Sequence, residues 1–429
     1  MSNRKPIAAL ITAEAFSITG TRLSMIAIPW LVLTTTEDPV LTGVVAFAEM
    51  LPYVVVKALS GPVVDRLGAR RIAVAGDVLS VPALLLVPLL HLAGVLSVWV
   101  ILPVVALLGG LRGPADSAKY ALVPDLAELG AVPLERVTGL SSAVERFGST
   151  AGAALAGALV VLVGPVNALG VNAAAVTVSA VLLAWGVPRP SPASSTEPTP
   201  TYAGDRVAAY VAELREGWTF LRRDAVLVGI TTMVALTNLL EQAYAALLVP
   251  VWAKETGSGA AAVGLVFAVF SGFSILGALL ASAWADRLPR LPVYVVAFVL
   301  TGIPRYFVLA FDAPAWLLLS TLAVGGFAAG FINPIIGAVV FERIPKALRG
   351  RVSSLSTALC WSLIPFGGLL GGGLVATVGL RAALVSIGVA YLFVTLMPLV
   401  RKSFREFGQR PTGPRPEHPV DAPRAPVSA

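Results

Sequence analysis

The chain has 429 residues, 57% of them hydrophobic and only 13% charged, with a mean hydropathy of +0.84. Soluble domains carry roughly a quarter charged residues, so this composition excludes one and calls for a bilayer. The net charge of +7 is not gathered on a soluble domain, which sets nucleic acid aside as a partner. One cysteine, Cys360, excludes an internal disulfide, and two histidines, His91 and His418, offer no metal constellation; no cofactor is expected.

A helix needs about 20 apolar residues to cross hydrocarbon. Twelve runs meet that length, at about 7–34, 40–60, 70–94, 97–118, 139–163, 166–187, 225–250, 260–284, 292–311, 315–338, 352–377 and 380–400. They are continuously apolar rather than alternating, which predicts helices and not barrel strands. The basic start "MSNRKP" leads into a run that continues past Arg22 without a small-residue cleavage site, so it reads as the first span and not a removed signal.

Charges inside these runs are few, and each costs on the order of 2.5 to 3.5 kcal/mol at a helix centre, so each asks for a partner or a pathway. Glu14 and Arg22 fall on the first span, Glu49 and Lys57 on the second, Arg112 on the fourth, Glu145 and Arg146 on the fifth, Glu241 on the seventh and Arg305 on the ninth. Glu49 and Glu241 lie nearest mid-span, and apolar surroundings favour a neutral carboxyl; they are the leading candidates for reversible protonation, with Glu14, Arg22 and Arg112 as further members of a coupling set. Lys57, Glu145 and Arg146, near helix ends, read as snorkelling groups. Phe16, Trp30, Phe47, Tyr53, Asn238, Gln242, Tyr244, Phe267, Phe270, Asn333 and Trp361 are the candidates for lining a substrate cavity, apolar with a few polar groups and so suited to amphiphilic molecules.

With both termini cytoplasmic, the inside segments hold 24 of the 31 Lys and Arg, while the outside turns hold Lys254 and Arg381. This asymmetry orients the chain in a cell's cytoplasmic membrane. Between the sixth and seventh spans a Pro/Ser/Thr-rich linker precedes Val207, Tyr210, Val211, Leu214, Trp218 and Leu221 at helical spacing, an amphipathic helix for the membrane surface. The predicted organisation is an all-α membrane fold: a six-helix bundle over 1–188, a cytoplasmic linker over 189–223, a second six-helix bundle over 224–402, and a Pro-rich disordered tail over 403–429.

A shift of 221 residues superposes Pro29 on Pro250, Gly43 on Gly264, Gly109 on Gly330, Gly152 on Gly373, and the triplet Asp65, Arg66, Leu67 on Asp286, Arg287, Leu288. Parallel repeats of this kind face each other across a central pathway. After the second span the loop reads "GPVVDRLGARR". Gly61 allows close packing there, Gly68 a tight turn, and Asp65 can accept hydrogen bonds at a helix N-terminus. Arg66, Arg70 and Arg71 can pair with Asp65 or with lipid phosphates, and Asp77 shares a helical face with Arg70. The cluster, with its echo at Asp286 and Arg287, is expected to latch the two bundles on the cytoplasmic side.

Twelve spans in a six-plus-six repeat, with Gly61, Asp65, Arg66, Gly68, Arg70 and Arg71 filling a G-x-x-x-D-R-x-G-x-R-R loop, resemble the major facilitator superfamily. The stretches "ALVPDL" and "FERIPKALRGRVSSL" are similar to its bacterial drug, siderophore and secondary-metabolite efflux branch. The resemblance implies a monomeric transporter, not an enzyme, working by alternating access with protons and a small molecule as partners. Arg112 is similar to the fourth-helix arginine of family antiporters, although "GPADSAKY" after it departs from their motif; Gly148, Gly152 and Gly157 are similar to their glycine-rich fifth helix, with Ala153 where they have proline. The expected function is export of amphiphilic small molecules by proton antiport. Uptake of a nutrient or lipid-like solute is the alternative within transport, and a membrane sensor or scaffold the alternative outside it.

Overall fold

The computed structural model describes residues 4–188, 206–284, 289–345, 348–400, and Phe404 and Phe407. The helices in chain order are α1 Lys5–Thr36, α2 Pro39–Leu59, the short α3 Gly61–Leu67, α4 Ala69–Leu92, α5 Val98–Leu129, α6 Leu134–Gly186, α7 Arg206–Arg223, α8 Ala225–Ala243, α9 Val249–Glu255, α10 Gly259–Trp284, α11 Arg290–Ala310, α12 Ala315–Arg343, α13 Arg349–Trp361 and α14 Phe366–Val400. Ten described helical stretches are long and apolar enough to cross a membrane. Their outward faces carry large apolar side chains such as Leu162, Trp185 and Phe393, which suits lipid and not water. The chain is a multi-pass integral membrane protein.

Local chemistry sets the helix ends. Asp38 accepts from the amides of Val40 and Leu41, and Asp224 from those of Val226 and Leu227, so each caps orphan donors at the start of its helix. Two long helices are broken internally by glycines in the left-handed region, α6 at Gly164 (φ 80°) and α14 at Gly379 (φ 79°). Both breaks fall where the hydropathy pattern predicts a turn between spans. Between α8 and α9 the backbone takes one π-turn over Tyr244–Leu248, with the Val249 amide donating to the Tyr244 carbonyl. It directly precedes Pro250, which has no amide to donate, so the ladder slips by one residue where it is already weakened.

Long-range contacts sort the helices into two groups. In the first, α1 packs along α6, α2 along α5, and α4 between α5 and α6; in the second, α12 packs on α10 and α11, and α14 on α8 and α11. The groups meet mainly where α2 crosses α14 and where α6 crosses α10. Both crossings are made of glycine. A Cβ on Gly43 would lie 2.9 Å from the Gly368 carbonyl carbon, and one on Gly157 would lie 2.8 Å from the Gly264 Cα, so any side chain would push the backbones apart.

Helix α7 realises the predicted amphipathic segment, but Leu221 packs with Leu227, Ile344, Leu348 and Val352 rather than lying only against lipid. The linker before it, over 189–205, lies outside the described residues, as does the tail apart from Phe404 and Phe407. Those two rings are buried, and Phe407 packs at a tilt against Tyr294 with centroids 4.8 Å apart.

Candidate functional site

Where the two groups of helices face each other, a cavity of about 200 Å³ opens between α1, α2, the end of α8 with its π-turn, and α10. Arg22, Met25, Ile26 and Pro29 line it from α1; Ala46, Glu49 and Met50 from α2; Gln242, Ala245 and Ala246 from the α8 side; Phe267 and Ser271 from α10. Its wall is thus largely apolar, with one carboxylate, one guanidinium, one amide and one hydroxyl. The candidates Arg22, Glu49, Gln242 and Phe267 meet here, although they come from four helices. Met25, Met50 and Ser271 were not singled out in the sequence.

Behind Glu49 stands Arg112 on α5, its electrostatic neighbour. A Cβ on Gly109 of α5 would touch the backbone carbonyl carbon of Glu49 at 3.1 Å, so the two helices are in direct contact at this level. Arg112 is buried, and both of its terminal nitrogens lack a hydrogen-bond partner among the described residues. A buried guanidinium without partners is costly, and it is held beside the one carboxylate that lines the cavity.

Glu241 is arranged differently. It forms an ion pair with Arg305 of α11. The guanidinium lies 4.4 Å from the Tyr244 ring centroid, 5.1 Å from that of Phe270 and 5.4 Å from that of Tyr306. Tyr244 and Phe270, expected to touch substrate, therefore belong to the cage around Arg305. The sequence shows Glu241 and Arg305 each as an isolated intramembrane charge; nothing in the spacing pairs them.

A third buried set lies wholly within α1 to α6. Lys119 donates to Asp77 at 2.8 Å and to Ser17 at 2.7 Å, and Ser179 donates to the other oxygen of Asp77 at 2.6 Å. Four helices are tied by these three bonds. Glu14 accepts from Ser141 at 2.6 Å. Lys119, counted from the sequence among the cytoplasmic cations, is only 3% exposed inside α5.

This placement redraws the signature loop. Arg70 donates to the carbonyls of Val187, at 2.7 Å, and Ala184, closing the end of α6. Asp77 is engaged by Lys119 and Ser179, also within the first group. Gly68 has the positive φ that the turn needs, 86°, and Arg71 is exposed. Gly61 begins α3, and a Cβ there would meet no atom within 4 Å among the described residues. The side chains of Asp65 and Arg66 are not described, and Asp286 and Arg287 lie outside the described residues.

The remaining cavity candidates scatter. Phe16 and Asn333 are exposed, and Trp30 packs on the core. Phe47 touches Phe366 across the α2–α14 crossing at 5.5 Å, and Asn238 donates to the Cys360 carbonyl at 2.9 Å. Tyr53 stacks on Trp361 of α13, centroids 6.3 Å apart, and donates its hydroxyl proton to Asp116 at 3.0 Å. Among the described residues no group of three His, Cys, Asp or Glu could hold a metal ion.

A multi-pass helical protein with two packed groups of helices and a polar-spotted cavity between them is of the transporter class. The Major Facilitator Superfamily profile matches residues 10–242 and again 230–428, and the chain belongs to that family. It is 27% identical over 417 residues to the multidrug efflux pump Tap of Mycobacterium tuberculosis, covering 96% of each chain. To the multidrug efflux pump Tap of Mycolicibacterium fortuitum it is 28% identical over 412 residues, covering 94% of this chain and 98% of that one. Among solved structures, a variant of the nucleoside transporter NupG superposes with a TM-score of 0.74 at 14% identity, covering 95% of this chain and all (100%) of that one. A D-xylose–proton symporter superposes with a TM-score of 0.67 at 16% identity, covering 91% and 96%. At such identities the structures speak for the fold alone.

Proposed function

We propose that this protein is a secondary transporter that exports amphiphilic small molecules across the cytoplasmic membrane by alternating access, in exchange for protons. The single observation that carries the reading is the cavity between the two groups of helices, apolar for most of its wall yet holding Glu49 and Arg22. Export, rather than uptake, is supported by the end-to-end likeness to pumps named for multidrug efflux.

In this reading the chain makes twelve crossings, six before and six after the linker, because α6 and the α13–α14 stretch each cross twice around Gly164 and Gly379. Both termini are cytoplasmic and the working unit is a monomer. The turn at 37–38 then lies outside. On that side the Gly43 and Gly157 crossings close the pathway, and Lys254 donates to the Leu33 carbonyl at 3.1 Å. The outside end of the pathway is therefore closed in this conformation. Glu49 takes a proton from outside and releases it inward, with Arg112 as its charged neighbour, and Arg22 faces the substrate. Glu241, held by Arg305, serves mainly as structure. The signature loop keeps a latching role through Asp65 and Arg66, with Arg70 and Asp77 as its anchor in the first group.

Expression in cells lacking their own drug pumps tests this reading. A fluorescent lipophilic dye should accumulate less in expressing cells, and a protonophore should abolish the difference. Equal accumulation with and without the protein would contradict export.

A further inference from the structure

Lys57 lies one turn from the end of α2 expected in the cytoplasm, where a lysine usually extends toward lipid phosphates. Here it turns the other way. Its ammonium donates to the Tyr53 hydroxyl at 3.1 Å and sits 5.1 Å from the Tyr53 ring centroid and 4.5 Å from that of Trp361. The Tyr53 hydroxyl passes its own proton toward Asp116 at 3.0 Å, so a carboxylate backs the phenol. An indole face and an acid-backed hydroxyl, set side by side by the stacking of Tyr53 on Trp361, are what an organic cation requires of a binding site.

The components come from both groups of helices: Tyr53 and Lys57 from α2, Asp116 from α5, Trp361 from α13. We propose that Tyr53, Trp361 and Asp116 form an entrance site for the cationic head of a lipophilic organic cation, filled in this conformation by the chain's own Lys57. The lysine is a tethered stand-in, and its flexible four-carbon stem lets it withdraw to the headgroups when a substrate cation arrives. Glu49, Tyr53 and Lys57 are four residues apart, so they share one face of α2. A cation leaving the rings toward the cavity therefore meets Glu49 next.

The proposal rests on the amphiphile-transport reading and names the charge of the preferred substrate. Its test is equilibrium binding of radiolabelled tetraphenylphosphonium to the purified full-length protein in lipid nanodiscs. Lys57→Met should tighten binding about three- to tenfold, since the competing cation is gone while the rings remain. Adding Trp361→Leu should remove that gain, and adding Trp361→Phe, which keeps a ring face, should preserve it. A neutral amphiphile of similar size should bind wild type and Lys57→Met alike. Unchanged or weaker tetraphenylphosphonium binding in Lys57→Met, or an equal change for the neutral probe, would overturn the entrance site while leaving transport intact. Failure of cells to expel either probe would instead overturn the transport reading.

Discussion

Glu241 and Arg305 meet in direct contact, wrapped by Tyr244, Phe270 and Tyr306, with only the Nε of the arginine unpartnered among the described residues, whereas Glu49 and Arg112 lie side by side with both terminal nitrogens of the arginine unpartnered among them. The internal repeat sharpens the contrast. Under the 221-residue shift Glu49 and Arg112 fall on Phe270 and Asn333, while Glu241 and Arg305 fall on Gly20 and Leu84. Each half thus buries a charge set that the other replaces with neutral residues. A buried pair that satisfies itself behaves as structure, and breaking it leaves an uncompensated charge; a buried cation without partners keeps its interactions available for a group that changes charge.

The largest expected effect separates the two arginines. Arg305→Met should cost about 2–4 kcal/mol, less than a fully buried pair because the Glu241 side chain it strands is 34% exposed, and thermal melts of the detergent-solubilised protein should show it. Arg112→Met should leave the melting temperature unchanged or raise it, yet abolish dye export. Equal losses of stability would break the comparison. The Asp77–Lys119 set should resemble the satisfied pair. Lys119→Met should cost about as much, roughly 2–4 kcal/mol, because Asp77 is more deeply buried than Glu241 but Ser179 still donates to it.

Smaller effects follow at the crossings between the groups. Gly368→Ala places a Cβ 2.9 Å from that of Ala46 and 3.0 Å from the Gly43 carbonyl oxygen, which should disfavour the outside-closed conformation by about 1–3 kcal/mol. Labelling of a cysteine introduced in the pathway, by a membrane-impermeant reagent added outside, should rise accordingly. The smallest effect belongs to Lys254 and Glu37, 3.4 Å apart with Glu37 79% exposed. A Glu37→Gln variant should change the melting temperature by no more than the equivalent of about 0.5 kcal/mol.

The all-α membrane fold was legible in hydropathy, because continuous apolar length is the physical condition for crossing a bilayer, and the glycine breaks at Gly164 and Gly379 fell in gaps of that pattern. Glu49, Arg22, Gln242 and Phe267 were legible as isolated polar or aromatic residues within apolar runs. Their partners were not. Arg70 and Val187, Lys119 and Asp77, and Arg305 and Glu241 are joined by helix rotation and tilt, which small residues set through packing and which no periodicity in one helix reveals. For the same reason Lys57 read as a snorkelling group, although its ammonium lies against the Tyr53 hydroxyl and the Trp361 ring, the latter more than 300 positions further along the chain.

Proton release on adding an amphiphile to purified protein in weakly buffered detergent solution addresses the central claim most directly. Wild type should release protons, Glu241→Gln should still do so, and Glu49→Gln should release none while binding the amphiphile. Release that survives in Glu49→Gln, or vanishes only in Glu241→Gln, would contradict the account.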